Sequence, residues 1–148
     1  MSTPAFLPSP AKVLVPVGGT TADQTAIQMA CELVRKSKGQ VFILHVIEVE
    51  RALPLDVELP EALERGEHIL EEAEETARAM QSQVETEIFQ AREVGPAVVD
   101  EATQREVDLI VIGLPYKSRY GEFSLGETVP YVLKNALCQV WVCREERK

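Results

Sequence analysis

The sequence predicts an α/β domain, a doubly wound five-stranded parallel sheet flanked by four helices. Three observations lead there. Short apolar runs of strand length, KVLVPV, VFILHV and DLIVI, lack the alternation of a half-exposed sheet and suit strands covered on both faces. The segments between them repeat apolar residues every three to four positions, the period of a helix with one buried side. Strand and helix patterns alternate along 148 residues with no internal repeat and no second core, as parallel strands joined by helical crossovers require. Ligands of such sheets bind beyond the strand C-terminal ends at the switch point. The turn after the first strand and the loop after the fourth are therefore expected to converge.

Residues 1–11 carry three prolines and little periodicity, so they are expected to be a flexible lead-in to a single domain over 12–148. Lys12 to Val17 is the first strand and Gly18-Gly19-Thr20 its turn. A helix is expected from about Thr21 to Lys38, with Ala26, Ile27, Ala30, Leu33 and Val34 as its apolar stripe. Thr20-x-x-Asp23 approximates a capping box, and Gly39 is placed to close the helix as a C′ glycine. Val41 to Val46 is the second strand. From Pro60 to about Val84, Leu63, Gly66, Ile69, Leu70, Ala73, Ala77 and Met80 recur with helical spacing, while the glutamates between them form a solvated face.

Glu85 to Val94 alternates weakly and fits a strand at the sheet edge. Gly95-Pro96 opens a short helix with proline at N1, running to about Glu106. Asp108 to Ile112 is the next strand. A last helix is expected from about Thr128 to Leu137, and Gln139 to Cys143 is the final strand before a charged tail.

The composition narrows the function. A net charge of −9, with 15 scattered basic residues, argues against nucleic acid, whose backbone recognition needs clustered Lys and Arg. No apolar run reaches the roughly 18 to 20 residues that span a bilayer, so a soluble, cytoplasmic protein with no membrane partner is expected. Cys31, Cys138 and Cys143 are too few and too irregularly spaced for a disulfide framework or a metal pair and are expected to be reduced. His45 and His68 have no sequence partner that points to a metal or a triad, and no nucleophile elbow, zinc-protease, Walker lysine or paired-carboxylate motif is present. Neither a catalytic residue nor a metal site is expected.

The candidate site is the connection from Gly113 to Gly126, whose 12 intervening residues are polar and irregular. A loop of that length in a compact α/β domain is usually functional or mobile. A strand end feeding a helix N-terminus gathers unpaired N–H groups and a positive dipole end, which favour phosphate.

These residues resemble the universal stress protein family, and the likeness runs from Lys12 to Cys143. KVLVPVGGT is similar to that family's opening strand and turn, VFILHVIEV to its second strand, AREVGPAVVDEA to the entry of its third helix, and DLIVIG with LGETVPYVLKNALCQVWVCR to its closing half. The resemblance implies a Rossmann-like sheet, a stress-response role, dimers through the last strand and, in many members, ATP across the C-terminal ends of strands one and four. It places a nucleotide pocket at Pro16, Val17, Gly18, Val46, Ile112, Gly113, Tyr116, Gly126, Glu127 and Thr128. The nucleotide motif is a glycine, two residues, a second glycine, nine residues, then a glycine followed by Ser or Thr.

Here the spacing is kept while the chemistry changes. Tyr116 stands at the middle glycine, Glu127 at the hydroxyl position, and Gly18 where nucleotide-binding members carry an acid that contacts the nucleoside. Tyr116 brings bulk where backbone should approach phosphate, and Glu127 repels a triphosphate. Pro130 argues for Thr128 as N-cap, with Pro130 at N2 and the Thr128 hydroxyl engaged by the helix's own donors. The loop KSRYGEFSLGETVPYVLKNA is also similar to variant stress-protein domains fused to amino-acid permeases, which likewise lack the middle glycine.

The reading is a homodimeric regulatory or binding protein with a degenerate nucleotide pocket, paired through Val140, Trp141 and Val142 of the last strand. The alternative is a small-molecule sensor that takes ATP, AMP or a cyclic nucleotide through Gly113, Gly126, Thr128, Lys117 and Arg119. Weak ATP hydrolysis is a third, disfavoured because no residue presents itself as a base.

Overall fold

The computed structural model describes residues 10–117 and 123–147. Five strands and four helices alternate: β1 (Lys12–Pro16), α1 (Asp23–Arg35), β2 (Gln40–Glu48), α2 (Pro60–Ala79), β3 (Val84–Ala91), α3 (Val94–Gln104), β4 (Leu109–Leu114), α4 (Thr128–Asn135) and β5 (Gln139–Arg144). The strands form one sheet in the order β3-β2-β1-β4-β5, every pairing parallel. The fold is therefore the five-stranded parallel α/β architecture expected. The chain winds outward from β1 to β3, crosses back to β4 and continues to β5, so its switch point lies between β1 and β4.

The continuous apolar runs are explained by two cores. Val13, Val15, Val41, Ile43, Leu109 and Val111 pack under α1 and α2 with Ile27, Ala30, Ile69 and Leu70. Leu14, Phe42, Leu44, Ile110 and Ile112 point the other way and meet Val98, Ala102, Val129 and Val132 of α3 and α4. Alternate residues of each central strand thus serve opposite faces, and His45 of β2 is the buried polar side chain among them. At roughly 25 cal/mol per Å2 of apolar surface, these two layers dominate the stability.

Several boundaries differ from the sequence expectation, each for a local reason. Pro10 and Ala11 are tied down: the Ser37 hydroxyl donates to the Pro10 carbonyl at 2.6 Å, and the Ala11 and Lys12 amides donate to Asp108 Oδ2 at 2.9 and 3.0 Å. The ordered domain thus includes the last two residues assigned to the lead-in; the remainder of that segment lies outside the described residues. The first helix stops at Arg35, and its left-handed residue is Lys38 (φ 54°) rather than Gly39. The Gly39 amide reaches back to the Val34 carbonyl at 3.0 Å, which closes the helix in a Schellman pattern with Gly39 one place later than C′. A Cβ on Gly39 would lie 2.5 Å from the Ala11 carbonyl oxygen, so close backbone approach is what glycine answers there.

The second helix ends at Ala79, not near Val84. Gln81 turns left-handed (φ 57°) and Val84 opens β3. In α3, Glu93 is the N-cap, which puts Pro96 at N3 instead of N1. The first intrahelical bond is Ala97 N–H to Glu93 C=O at 3.4 Å, so the proline removes no donor the helix uses.

β3 is an edge strand, as its weak alternation indicated. The Arg105 guanidinium lies 4.6 Å above the Phe42 ring, donates to Glu101 Oε1 and Glu85 Oε2 at 2.7 Å each, and pairs with Glu87. The Glu101 bond, followed by those to Glu85 and Glu87, raises the proton affinity of Arg105 against the opposing effect of burial. No helix among the described residues is long and apolar enough to cross a membrane.

Candidate functional site

Where the sheet reverses, the C-terminal ends of β1 and β4 diverge and leave an open cavity of about 390 Å3. Pro16, Val17 and Gly18 form one wall, Ile112, Gly113 and Leu114 another, and Leu44 and Val46 of β2 extend it. Ser124, Leu125, Gly126, Glu127, Thr128 and Val129 close the α4 side, and Val94 reaches in from α3. Two stretches more than 90 residues apart in sequence therefore meet, as the switch-point rule requires.

Nine of the ten residues assigned to the site line this cavity, and Tyr116 does not. Its ring lies under two guanidinium groups, 5.2 Å from Arg144 Cζ and 5.8 Å from Arg147 Cζ. Its amide donates to Glu145 Oε1 at 2.9 Å. Both interactions draw Tyr116 toward the segment after β5, so its bulk does not fill the cavity. Glu145 also accepts from the Thr21 hydroxyl at 2.7 Å and thereby links the two turns that flank the site. Lys117 is exposed and off the cavity, and Arg119 falls outside the described residues.

The two outer glycines of the loop serve different physical needs. A Cβ on Gly113 would sit 2.3 Å from the Ala22 carbonyl oxygen, so β4 can end against the α1 turn only without a side chain. Gly126 has φ 67° with nothing within 4 Å of a Cβ; its requirement is the left-handed backbone. Gly18 has neither constraint: a Cβ there meets nothing within 4 Å, and its φ is ordinary.

The helix start beyond the loop differs from expectation by one residue. Glu127 is the N-cap of α4, without a side-chain capping bond, and Thr128 is N1. Pro130 falls at N3, and Tyr131 N–H makes the first intrahelical bond to Glu127 C=O at 3.4 Å. Proline is accommodated without using Thr128 as cap, and among the described residues the Thr128 hydroxyl makes no hydrogen bond. Thr128 itself lines the cavity, and at N1 it is not the cap that the sequence argument made it.

The turn after β1 holds a functional candidate the sequence argument used only as a cap. Ala22, not Thr20, is the N-cap position of α1. The Asp23 carboxylate reaches back instead: Oδ2 accepts from the Gly19 and Thr20 amides at 2.8 and 3.2 Å, and Oδ1 from the Thr20 hydroxyl at 3.3 Å. Burial pushes the Asp23 carboxyl above its ordinary value, opposed by the amides of Gly19, Gly18 and Thr20 and by the Thr20 hydroxyl. Asp23 and Thr20 both line the cavity. The spacing Thr20-x-x-Asp23 beside a strand end was the available signal.

This arrangement matches known proteins. The model of the universal stress protein family matches residues 11–144. The chain belongs to the universal stress protein family. A universal stress protein of Methanocaldococcus jannaschii is 25% identical over 143 residues, covering 93% of this chain and 84% of the relative. The structure of the Archaeoglobus fulgidus universal stress protein in complex with dAMP superposes with a TM-score of 0.69 at 18% identity, over 93% of this chain and 97% of that one. A family member from Arabidopsis thaliana with AMP bound gives a TM-score of 0.65 at 21% identity, over 93% of each chain. At those identities the superpositions establish the stress-protein fold, while the family assignment rests on the sequence model.

The remaining reactive side chains of this universal stress protein are occupied elsewhere. His45 is buried and its Nδ1 donates to the Val17 carbonyl at 2.8 Å, which fixes β2 to the end of β1. His68 lies on the solvated face of α2, 3.3 Å from Glu72. Cys143 packs on the α1/α2 side of the sheet and Cys138 on the other, and burial pushes both thiols above their ordinary value.

Proposed function

We propose that this universal stress protein is a regulatory or binding protein rather than an enzyme, that it works as a cytoplasmic homodimer, and that its pocket takes an adenine nucleoside or monophosphate more readily than ATP. The observation that carries the reading is the switch-point cavity. Its volume of about 390 Å3 suits a small ligand. Its β1, β2 and β4 walls are mainly apolar, and its α4 end presents Glu127 beside the helix amides. A planar base is accommodated by the former, and a triphosphate is repelled by the latter. Same-fold proteins described in complex with dAMP and with AMP support the ligand class.

The sensor alternative has one observation of its own. The Thr128 hydroxyl, without a hydrogen bond among the described residues, and the left-handed Gly126 leave the α4 N-terminus open to a single phosphate, as AMP or a cyclic nucleotide would bring. A thermal-shift series against adenosine, AMP, cyclic AMP and ATP at millimolar concentration tests both readings. Stabilisation is expected from adenosine and AMP and least from ATP; no shift with any of them refutes the nucleotide pocket, and the largest shift with ATP refutes the weakened phosphate end.

The homodimer reading draws on β5. It is the second edge of the sheet, with Val140, Trp141 and Val142 half-buried along it. An edge with apolar side chains on both faces favours a symmetric partner strand. Sedimentation at micromolar concentration should give a dimer, and Val140→Lys should give a monomer; a monomeric parent protein sinks this part.

A further inference from the structure

Asp23 is set into the cavity wall beside Val17, Gly18 and Thr20, and its two oxygens are unequally engaged. Oδ2 takes the amides of Gly19 and Thr20, which fills its two lone-pair directions. Oδ1 takes the Thr20 hydroxyl at 3.3 Å, beyond the usual range for an O–H···O bond, with the Gly18 amide a further neighbour of the carboxylate. One oxygen thus anchors the turn, and the other keeps acceptor capacity on a half-buried residue that lines the cavity. A carboxylate oxygen in such surroundings favours a ligand that supplies its own hydroxyl donor. Access is open, because Gly18 projects nothing and a Cβ there would meet no atom within 4 Å.

We infer that Asp23 Oδ1 accepts a hydrogen bond from a ribose hydroxyl of the bound adenine nucleoside, which makes Asp23 the sugar-specificity residue of this cavity. The inference rests on the reading of the cavity as an adenine-nucleoside site. Burial raises the proton affinity of the carboxyl, and a donated hydroxyl relieves the charged form. The same charge repels a phosphate, so Asp23 orients the sugar toward β1 and leaves the α4 end for the 5′ substituent.

The test is equilibrium binding of adenosine, 2′-deoxyadenosine and 3′-deoxyadenosine to the parent protein, to Asp23→Asn and to Thr20→Ala. In Asp23→Asn the side-chain carbonyl can keep both turn amides, while the amide nitrogen replaces Oδ1 with a donor. The parent protein should bind adenosine about tenfold more tightly than at least one deoxy analogue, the scale of one hydrogen bond to a charged group. Asp23→Asn should bring the three ligands within about twofold by weakening adenosine alone. Thr20→Ala removes the competing hydroxyl, retains both backbone bonds and should keep or widen the parent's ratio; it remains informative if Asp23→Asn does not fold. An unchanged ratio in Asp23→Asn, or a collapsed one in Thr20→Ala, overturns the role of Asp23 while leaving the nucleoside site standing. A parent protein that binds none of the three at millimolar concentration overturns the site itself and this inference with it.

Discussion

Two strand-to-helix turns face each other across the cavity, and they satisfy their helix ends in opposite ways. After β1, an acid inside the helix, Asp23, folds back onto the Gly19 and Thr20 amides, so the turn carries its own anion. After β4, an acid at the N-cap, Glu127, makes no capping bond, and among the described residues the first amides of α4 and the Thr128 hydroxyl stay open. The first turn is closed to an external anion. The second can receive one, with Glu127 opposing it. Position relative to the helix start, rather than the presence of an acid, decides which turn can hold phosphate.

The largest effect that would break this comparison comes from their point of contact. Gly113→Ala puts a methyl 2.3 Å from the Ala22 carbonyl oxygen, backbone against backbone, and should cost about 3 kcal/mol in denaturant unfolding, at the upper end for overpacking. Gly18→Ala, with open space around it, should stay within about 0.5 kcal/mol. Equal costs for the two variants would show that the turns do not abut as described.

The next effect tests the first turn by pH. Burial holds the folded-state pKa of Asp23 above the unfolded value of 3.8. The folded protein then binds this proton more tightly than the unfolded chain, so the Asp23 contribution is most favourable below pH 3.8 and declines as pH rises through the folded value, after which it is constant. Asp23→Asn lacks that decline, and its stability relative to the parent should improve on going from pH 3 to pH 6. A constant difference for Asp23→Asn contradicts the burial argument.

The smallest effects sharpen the second turn. Removing the charge in Glu127→Ser should improve ATP binding about fivefold relative to adenosine, the scale of one charge pair near 4 Å in water. Thr128→Ala should leave unfolding within about 0.5 kcal/mol of the parent, since no capping bond is lost. A cost near 1 to 2 kcal/mol, typical of a lost cap, would restore Thr128 to the capping role the sequence implied.

The fold was legible because apolar periodicity is a local property. KVLVPV, VFILHV and DLIVI state by themselves that both faces are covered, and even the weak pattern ETEIFQA marked β3 as an edge. Helix ends were less legible. Pro96 and Pro130 both read as early-turn prolines, yet each sits at N3, a position whose amide has no helical partner and which tolerates proline as well as N1 does. The chain could not show which of the neighbouring residues begins the helix, because the choice depends on how the preceding strand end docks.

By itself the sequence determined the sheet, its crossovers and the length of the Gly113 to Gly126 connection, since each is written in residue types at fixed spacing, and its resemblance to the universal stress protein family implied the loss of the middle glycine and the hydroxyl. Only the tertiary structure decided what those changes do. Tyr116 is carried out of the cavity by Arg144, Arg147 and Glu145. Thr128 is moved from the N-cap to N1 by a one-residue shift of the helix start, and Asp23 is brought in beside Gly18 by the turn it closes. Side-chain direction at a strand end is set by contacts with segments distant in sequence, and those contacts exist only once the sheet has formed.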